Sequence, residues 1–397
     1  MSLELEHLRS ALRRIEARYS AGRPVPRPLA PASAPSGEVI ETSAGACLSF
    51  RCRYPLTHRQ GKQELSLAAS DSPLPLVGSG VTPGRALYLD TETTGLAGGT
   101  GTYAFLVGVG RFVGGAFEVE QFFMRDFHEE PALLELLAAR CPEASGLVTY
   151  NGRGFDLPLL ETRYLLARRS WPGQSLPHLD LLPVARRLWR GLVEDFRLGT
   201  LEASLLRHER ADDVPGFMIP QLYFRYLRDR DLSALTQVFE HNAQDILSLA
   251  VLTGRVASLL EHREVGRPEE WAGLGRLWEG LDWERSVMCY REALAGPLPP
   301  DQALEVRQRV GRFLKRSERW EEAREVWTAW AADDEAATLE PLEELAKYLE
   351  HRAHDLPAAR RVVVRALALV REEGSALPAL RHRLHRLECR LAGRRWY

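Results

Sequence analysis

The sequence predicts an α/β domain, a mixed central sheet flanked by helices, followed by an all-α C-terminal domain. Three observations predict it. Short apolar runs bounded by turn residues occupy residues 38–123. Strand-like runs then alternate with helical segments up to about residue 262, the order expected of an α/β layer fold. From about residue 265 strand signals stop, and tryptophan and alanine recur at helical spacing.

The elements follow in order. The opening segment, MSLELEHLRSALRRIEARYS, alternates charge with leucine and lacks an apolar signal core, so it predicts a short amphipathic helix. Residues 22–37, rich in Pro, Ala and Ser, predict a semi-rigid linker, making 1–37 an N-terminal helix and linker. One or two strands are expected in residues 38–70. Three strands follow, ALYLDTE, YAFLVGVGRF and AFEVEQFFM, the last two joined by a hairpin turn at Val113-Gly114-Gly115-Ala116. EEPALLELLAARC predicts a helix with acids in its first turn. GLVTYNG predicts a strand, and a helix is expected from about Leu157 to Arg169. Residues 178–262 look predominantly helical, which bounds the α/β domain at 38–262.

The tail, residues 265–397, carries a weak internal repeat. Segments headed by Asp282-Trp283, Arg319-Trp320 and Asp355-Leu356 align without gaps, placing Ser286, Ala323 and Ala359 together, then Tyr290, Trp327 and Val363, then Leu294, Ala331 and Leu367. The heads fall 37 and 36 residues apart, near the ~34 of helix-turn-helix tetratricopeptide repeats. Small residues at the first of these positions let paired helices approach closely.

Composition is that of an ordinary globular protein, with 45% hydrophobic and 27% charged residues. No stretch reads as the run of about 20 apolar residues that crosses a bilayer, so neither a membrane partner nor an address other than the cytoplasm is expected. Five cysteines are too few and scattered for a disulfide framework, and Cys47 and Cys52 have no second pair with zinc spacing. The net charge of −2 does not announce a nucleic-acid binder, although basic patches can be local. Only three of the 52 basic residues are lysine, a bias of genome composition rather than of binding.

Chemistry concentrates in three segments. In LDTETTG, residues 89–95, Asp90 and Glu92 share one strand face, and two crowded carboxylates call for a hard divalent cation. In YNGRGFD, Asp156 stands where a strand opens into a helix, as a site acid or as an N-cap. In FEHNAQDIL, His241 and Asp245 share a helix face whose neighbours Val238, Ile246 and Ala250 pack inward. That pair also reads as a surface interaction. Asp180, before another helix, reads as a cap and is left out. The loop Gly98-Gly99-Thr100-Gly101-Thr102 is not a dinucleotide fingerprint, because it leads into a strand with the wrong glycine spacing.

Taken together, LDTETTG, YNGRGFDLP and HNAQD resemble, in type and order, the three motifs of the four-acid exonuclease branch of the RNase H-like superfamily. The closer resemblance is to the YprB-like, RNase H-like group, which couples such a domain to tetratricopeptide-like repeats. The resemblance implies that Asp90, Glu92, Asp156 and Asp245 hold two Mg²⁺ or Mn²⁺ ions and that nucleotides are removed from a single-stranded 3′ end of DNA or RNA. It implies that Thr93, Thr94, Gly95, Leu96 and Asn151 contact substrate, and that the repeats bind a protein partner. The last motif departs from the pattern: its spacing is that of the branch with a catalytic tyrosine, yet the residue is His241. A neutral imidazole with a pKa near ~6.5 is the better proton acceptor at neutral pH, so His241 is expected to be the general base. The competing readings are a non-catalytic nucleic-acid-binding module, and a scaffold whose repeats do the work.

Overall fold

The computed structural model describes residues 37–394 apart from 77–79, 96–99, 212, 264, 334–337 and 371–374. The expected N-terminal helix, nearly all of the linker, and Leu96, Gly98 and Gly99 lie outside the described residues. From Glu38 the chain forms a hairpin, β1 (Glu38–Thr42) and β2 (Gly45–Pro55), then a minor ribbon, β3 (Arg59–Gln60) and β4 (Gln63–Glu64). The central strands are β5 (Leu87–Thr93), β6 (Ala104–Val113) and β7 (Ala116–Phe123). Gly114 and Gly115 both have positive φ, 54° and 73°, the conformation a two-residue hairpin turn requires. After α1 (Glu130–Ala138) come β8 (Leu147–Thr149), α2 (Asp156–Leu166), β9 (His178–Asp180) and α3 (Leu181–Leu188).

These strands form a mixed seven-stranded sheet in the order β1-β2-β7-β6-β5-β8-β9. The β1-β2-β7-β6-β5 pairings are antiparallel; β5-β8 and β8-β9 are parallel. Strand alternation sorts the core onto two faces. Leu87 and Leu89 pack with Leu133, Leu160 and Tyr164 of α1 and α2. Tyr88 and Val148 pack instead with Val184 of α3 and with Ile246 and Ala250 further along the chain.

The span 178–262 departs from its helical expectation. His178–Asp180 is an edge strand, too short to register as a periodic signal. Beyond α3 lie the short α4 (Leu198–Leu201), a π turn at Glu202–Leu206, and non-helical backbone up to α5 (Ile219–Asp229). The long α6 (Thr236–Leu260) then crosses the sheet, with Val238, Ile246 and Ala250 buried as expected. Contrary to the hydropathy reading, the span Leu232–Leu260 is long and apolar enough to cross a membrane, yet 67% of its window is buried inside this fold. It is the central core helix.

The tail is all helical. It consists of α7 (Pro268–Trp278), α8 (Trp283–Ala295), α9 (Pro300–Arg316), α10 (Trp320–Ala331), α11 (Leu339–His351), α12 (Leu356–Leu369) and α13 (Leu377–Leu391). The three aligned segments start α8, α10 and α12, and their small residues Ser286, Ala323 and Ala359 are fully buried. Asp282 and Asp355 cap α8 and α12 by accepting backbone N–H bonds, whereas Arg319 gives α10 no side-chain cap. The tail docks on the α/β body through α7, whose Leu274, Leu277 and Trp278 share a core with Leu188 and Leu259.

Candidate functional site

Alternation along β5 decides where its polar residues go. Asp90 and Glu92 continue the Tyr88 face and meet α6; Thr91 continues the opposite face and meets α2. The α6 contact is keyed by Asn242. Its buried amide donates to Asp90 Oδ2 at 2.8 Å and accepts from Gln121 Nε2 at 2.8 Å. Gly108 on β6 makes room for it, since a Cβ there would lie 2.1 Å from Asn242 Oδ1. Asn242 thereby sets the height of α6, with His241 and Asp245 on the adjoining turns.

Asp156 is the first residue of α2 rather than its cap. Its buried carboxylate turns back to the strand and accepts from Thr91 Oγ1 at 2.6 Å. Asp180 plays the capping role assigned to it, accepting from Leu182 N at 3.0 Å, and also from Asn151 N at 2.8 Å. That second bond fixes the turn after β8, where Asn151 adopts a left-handed φ of 61°.

The third group comes from α6 and from the irregular segment before α5. His241 Nδ1 bonds Asp213 Oδ1 at 2.7 Å, which turns Nε2 towards Asp245 Oδ2 at 3.6 Å and Glu92 Oε1 at 3.9 Å. Arg210 donates to Asp245 Oδ1 and forms a two-pronged pair with the buried Glu202, Nε to Oε2 at 2.7 Å. Arg210, Asp213, Glu202, Asn242 and Thr91 all escaped the sequence reading. Thr91 and Asn242 sit inside the motifs singled out, but Arg210 and Asp213 lie in a charge-dense loop with no periodicity to place them.

Crowding shows in the titration of these groups. Burial, then repulsion from Asp245, Glu92 and Asp156, pushes Asp90 well above the usual carboxylate range, against the Asn242 bond. Burial takes Glu92 to about 8 despite His241, and Asp156 to about 6 despite Thr91. Asp245 is raised by burial as well, with Arg210 and His241 opposing. For His241, burial lowers the pKa, but the Asp213 bond and the charges of Asp245 and Glu92 outweigh it and push it up to about 9.

Such a set of buried carboxylates, raised by burial and, at Asp90 and Glu92, by one another, fits a hard divalent cation in kind, being oxygen donors throughout. Among the described residues, no three His, Cys, Asp or Glu side chains are arranged to hold an ion as they stand. Asn242, Thr91 and Arg210 each hold one oxygen of Asp90, Asp156 and Asp245 respectively.

A groove of about 420 Å³ opens at Asp90, Glu92 and Asp156. Its wall includes Thr93, Gly95, Thr102, Asn151, the exposed Phe155, and Ile219 and Pro220 of α5. Thr93, Gly95 and Asn151 thus stand where substrate contacts were expected. Thr94 is outside the groove wall; its N–H and hydroxyl bond the backbone of Tyr103 and close the loop. Leu96 lies outside the described residues. Asp245 and His241 flank Glu92 beyond the groove wall. The glycine-rich loop is pinned by Arg163, which donates to Thr100 O at 2.8 Å and pairs with Glu130.

Comparison with known proteins agrees with this architecture. Residues 87–257 match the RNase_H superfamily family model. The Bacillus subtilis (strain 168) "Uncharacterized protein YprB" is 30% identical over 337 residues, covering 81% of this chain and 80% of that protein. A solved family B DNA polymerase from the hyperthermophilic archaeon Pyrobaculum calidifontis aligns with 52% of this chain and 28% of its own, at 15% identity and a TM-score of 0.36, a likeness too loose to carry an argument. On the strength of the Bacillus relative, matched over most of both chains, this chain belongs to the YprB family, with an RNase H superfamily domain built on β5 to α6.

Proposed function

We propose that the protein is a metal-dependent 3′–5′ exonuclease acting on single-stranded ends of DNA or RNA. The observation that carries this is the convergence of Asp90, Glu92, Asp156 and Asp245 from β5, α2 and α6 at the head of one groove. Asp90, Glu92 and Asp156 would hold one divalent ion, and Asp245 would help to hold a second. When bound, Mg²⁺ or Mn²⁺ supplies a water of lowered pKa and charge to balance the phosphodiester oxygens.

The chain's own residues do the rest. Thr93, Gly95 and Asn151 line the path of the terminal nucleotide. Asp213 holds the His241 ring with Nδ1 towards itself, leaving Nε2 to accept a proton beside Glu92 and Asp245. Commitment of those two carboxylates to cations withdraws the charges that keep the imidazole protonated, bringing it into the range of a general base. The helix pairs of the tail are read as tetratricopeptide-like repeats that bind a protein partner, and five free thiols suit a reducing cytoplasm.

The reading is tested with 5′-labelled single-stranded DNA and RNA in Mg²⁺, Mn²⁺ or EDTA. Metal-dependent laddering from the 3′ end, abolished by a 3′-phosphate block, is expected. Internal cuts that ignore the block would overturn the exonuclease reading, and binding without any cutting would favour the non-catalytic module.

A further inference from the structure

Two of the site acids are held by neutral donors, Asp90 by the Asn242 amide and Asp156 by the Thr91 hydroxyl. Asp245 is held by a full cation. Arg210, with only 10% of its side chain exposed, donates from NH2 to Asp245 Oδ1. The guanidinium is not free to drift, because its Nε and NH2 grip Glu202, itself 1% exposed in the π turn. NH1 lies 3.3 Å from His241 Nδ1 and 3.5 Å from Asp213 Oδ2. The planar fork is thus pinned from three sides, with one prong on a carboxylate that the nuclease reading assigns to metal.

We propose that Arg210 is a resident cation that competes with a divalent ion for Asp245, so that the site loads one ion readily and the second only by displacing the guanidinium. The proposal rests on the metal-dependent reading above and adds an order to it. The acids Asp90, Glu92 and Asp156 form the first site, since neutral donors give way without a charge conflict. A second ion near Asp245 meets a like charge already bonded to the same carboxylate. Loading of the second site is then set by how tightly Glu202 holds Arg210, which makes Glu202 a positioning residue for a site it does not touch.

The test is a Mn²⁺ titration of the full chain without nucleic acid, followed by calorimetry and by the paramagnetic resonance of free Mn²⁺. Wild type is expected to bind in two steps separated by about tenfold or more, the scale on which outer partners move metal affinity. In Arg210→Gln/Glu202→Gln the weaker step should tighten by about tenfold. Glu202→Gln alone, which keeps the arginine and frees it of its counter-charge, should weaken that step further, and it carries the test if the double variant does not fold. Two equal sites in wild type, or a weaker step that stays put or loosens in the double variant, would overturn the proposal. The two readings fail separately. Two-step binding in a protein that cuts nothing sinks the nuclease, while metal-dependent cutting with two equal sites sinks only the competition.

Discussion

At the scale of single residues, the site is a contest between burial and charge, and its outcome is measurable without substrate. Glu92 is raised to about 8 and His241 to about 9. A carboxylate raised on folding stabilises the native state only while protonated, so its contribution disappears as pH climbs from its unfolded value to 8; a raised histidine loses its contribution as pH passes 9. Both act in the same direction. The metal-free protein should therefore lose thermal stability between about pH 5 and 9, and added Mg²⁺ should flatten that slope by offsetting the carboxylates. A metal-free melting temperature that rises over this window would refute the assignment. His241→Ala should slow cleavage by about 10²–10⁴-fold with Mn²⁺ binding mostly retained; a wild-type rate would exclude His241 as the base. Legibility at this scale was uneven. Asp90 and Glu92 could be read from strand alternation alone, and His241 and Asp245 from helical spacing. Arg210 and Asp213 could not, because they reach the site across 31 and 28 residues from His241, out of backbone with no repeating geometry.

Among secondary-structure elements, the decisive relation is α6 against the sheet. The strands β5, β6 and β7 were legible because each is a long apolar run between turns, and the hairpin glycines carry a conformational demand of their own. β9 was not: three residues cannot display a period, and its pairing with β8 is a tertiary fact. The same limit hid Gly108, which in sequence is one glycine in an apolar strand. In the fold it is the clearance for Asn242, and through it for the register of α6. Gly108→Ala should destabilise the protein by about 1–3 kcal/mol, the range for overpacking a filled core, and should also lower the cleavage rate by releasing Asn242 from Asp90. Destabilisation with an unchanged rate per folded molecule, measured by thermal melting and single-turnover cleavage, would show that Asn242 does not position Asp90.

Over the whole molecule, the helical tail is not a loose appendage. Gly273 of α7 sits so close to α3 that a Cβ would lie 2.0 Å from Leu188 O. Gly273→Val should force α7 off α3 and expose the shared core around Leu277 and Trp278. Limited proteolysis is expected to release the tail from this variant while leaving wild type intact; equal resistance would mean that the docking does not depend on that approach. The compositional break near residue 265 was visible in sequence, but the docking was not, since Leu188 and Gly273 meet only through folding. What ties these scales together is the claim that four acids on three elements make one metal-dependent catalytic centre. The most direct measurement is cleavage of an end-labelled single strand by Asp90→Asn/Asp245→Asn, a variant that keeps side-chain size and removes two charges. The account predicts that cleavage falls to the level of wild type in EDTA; cleavage that persists in the variant at the wild-type, metal-dependent rate would contradict it.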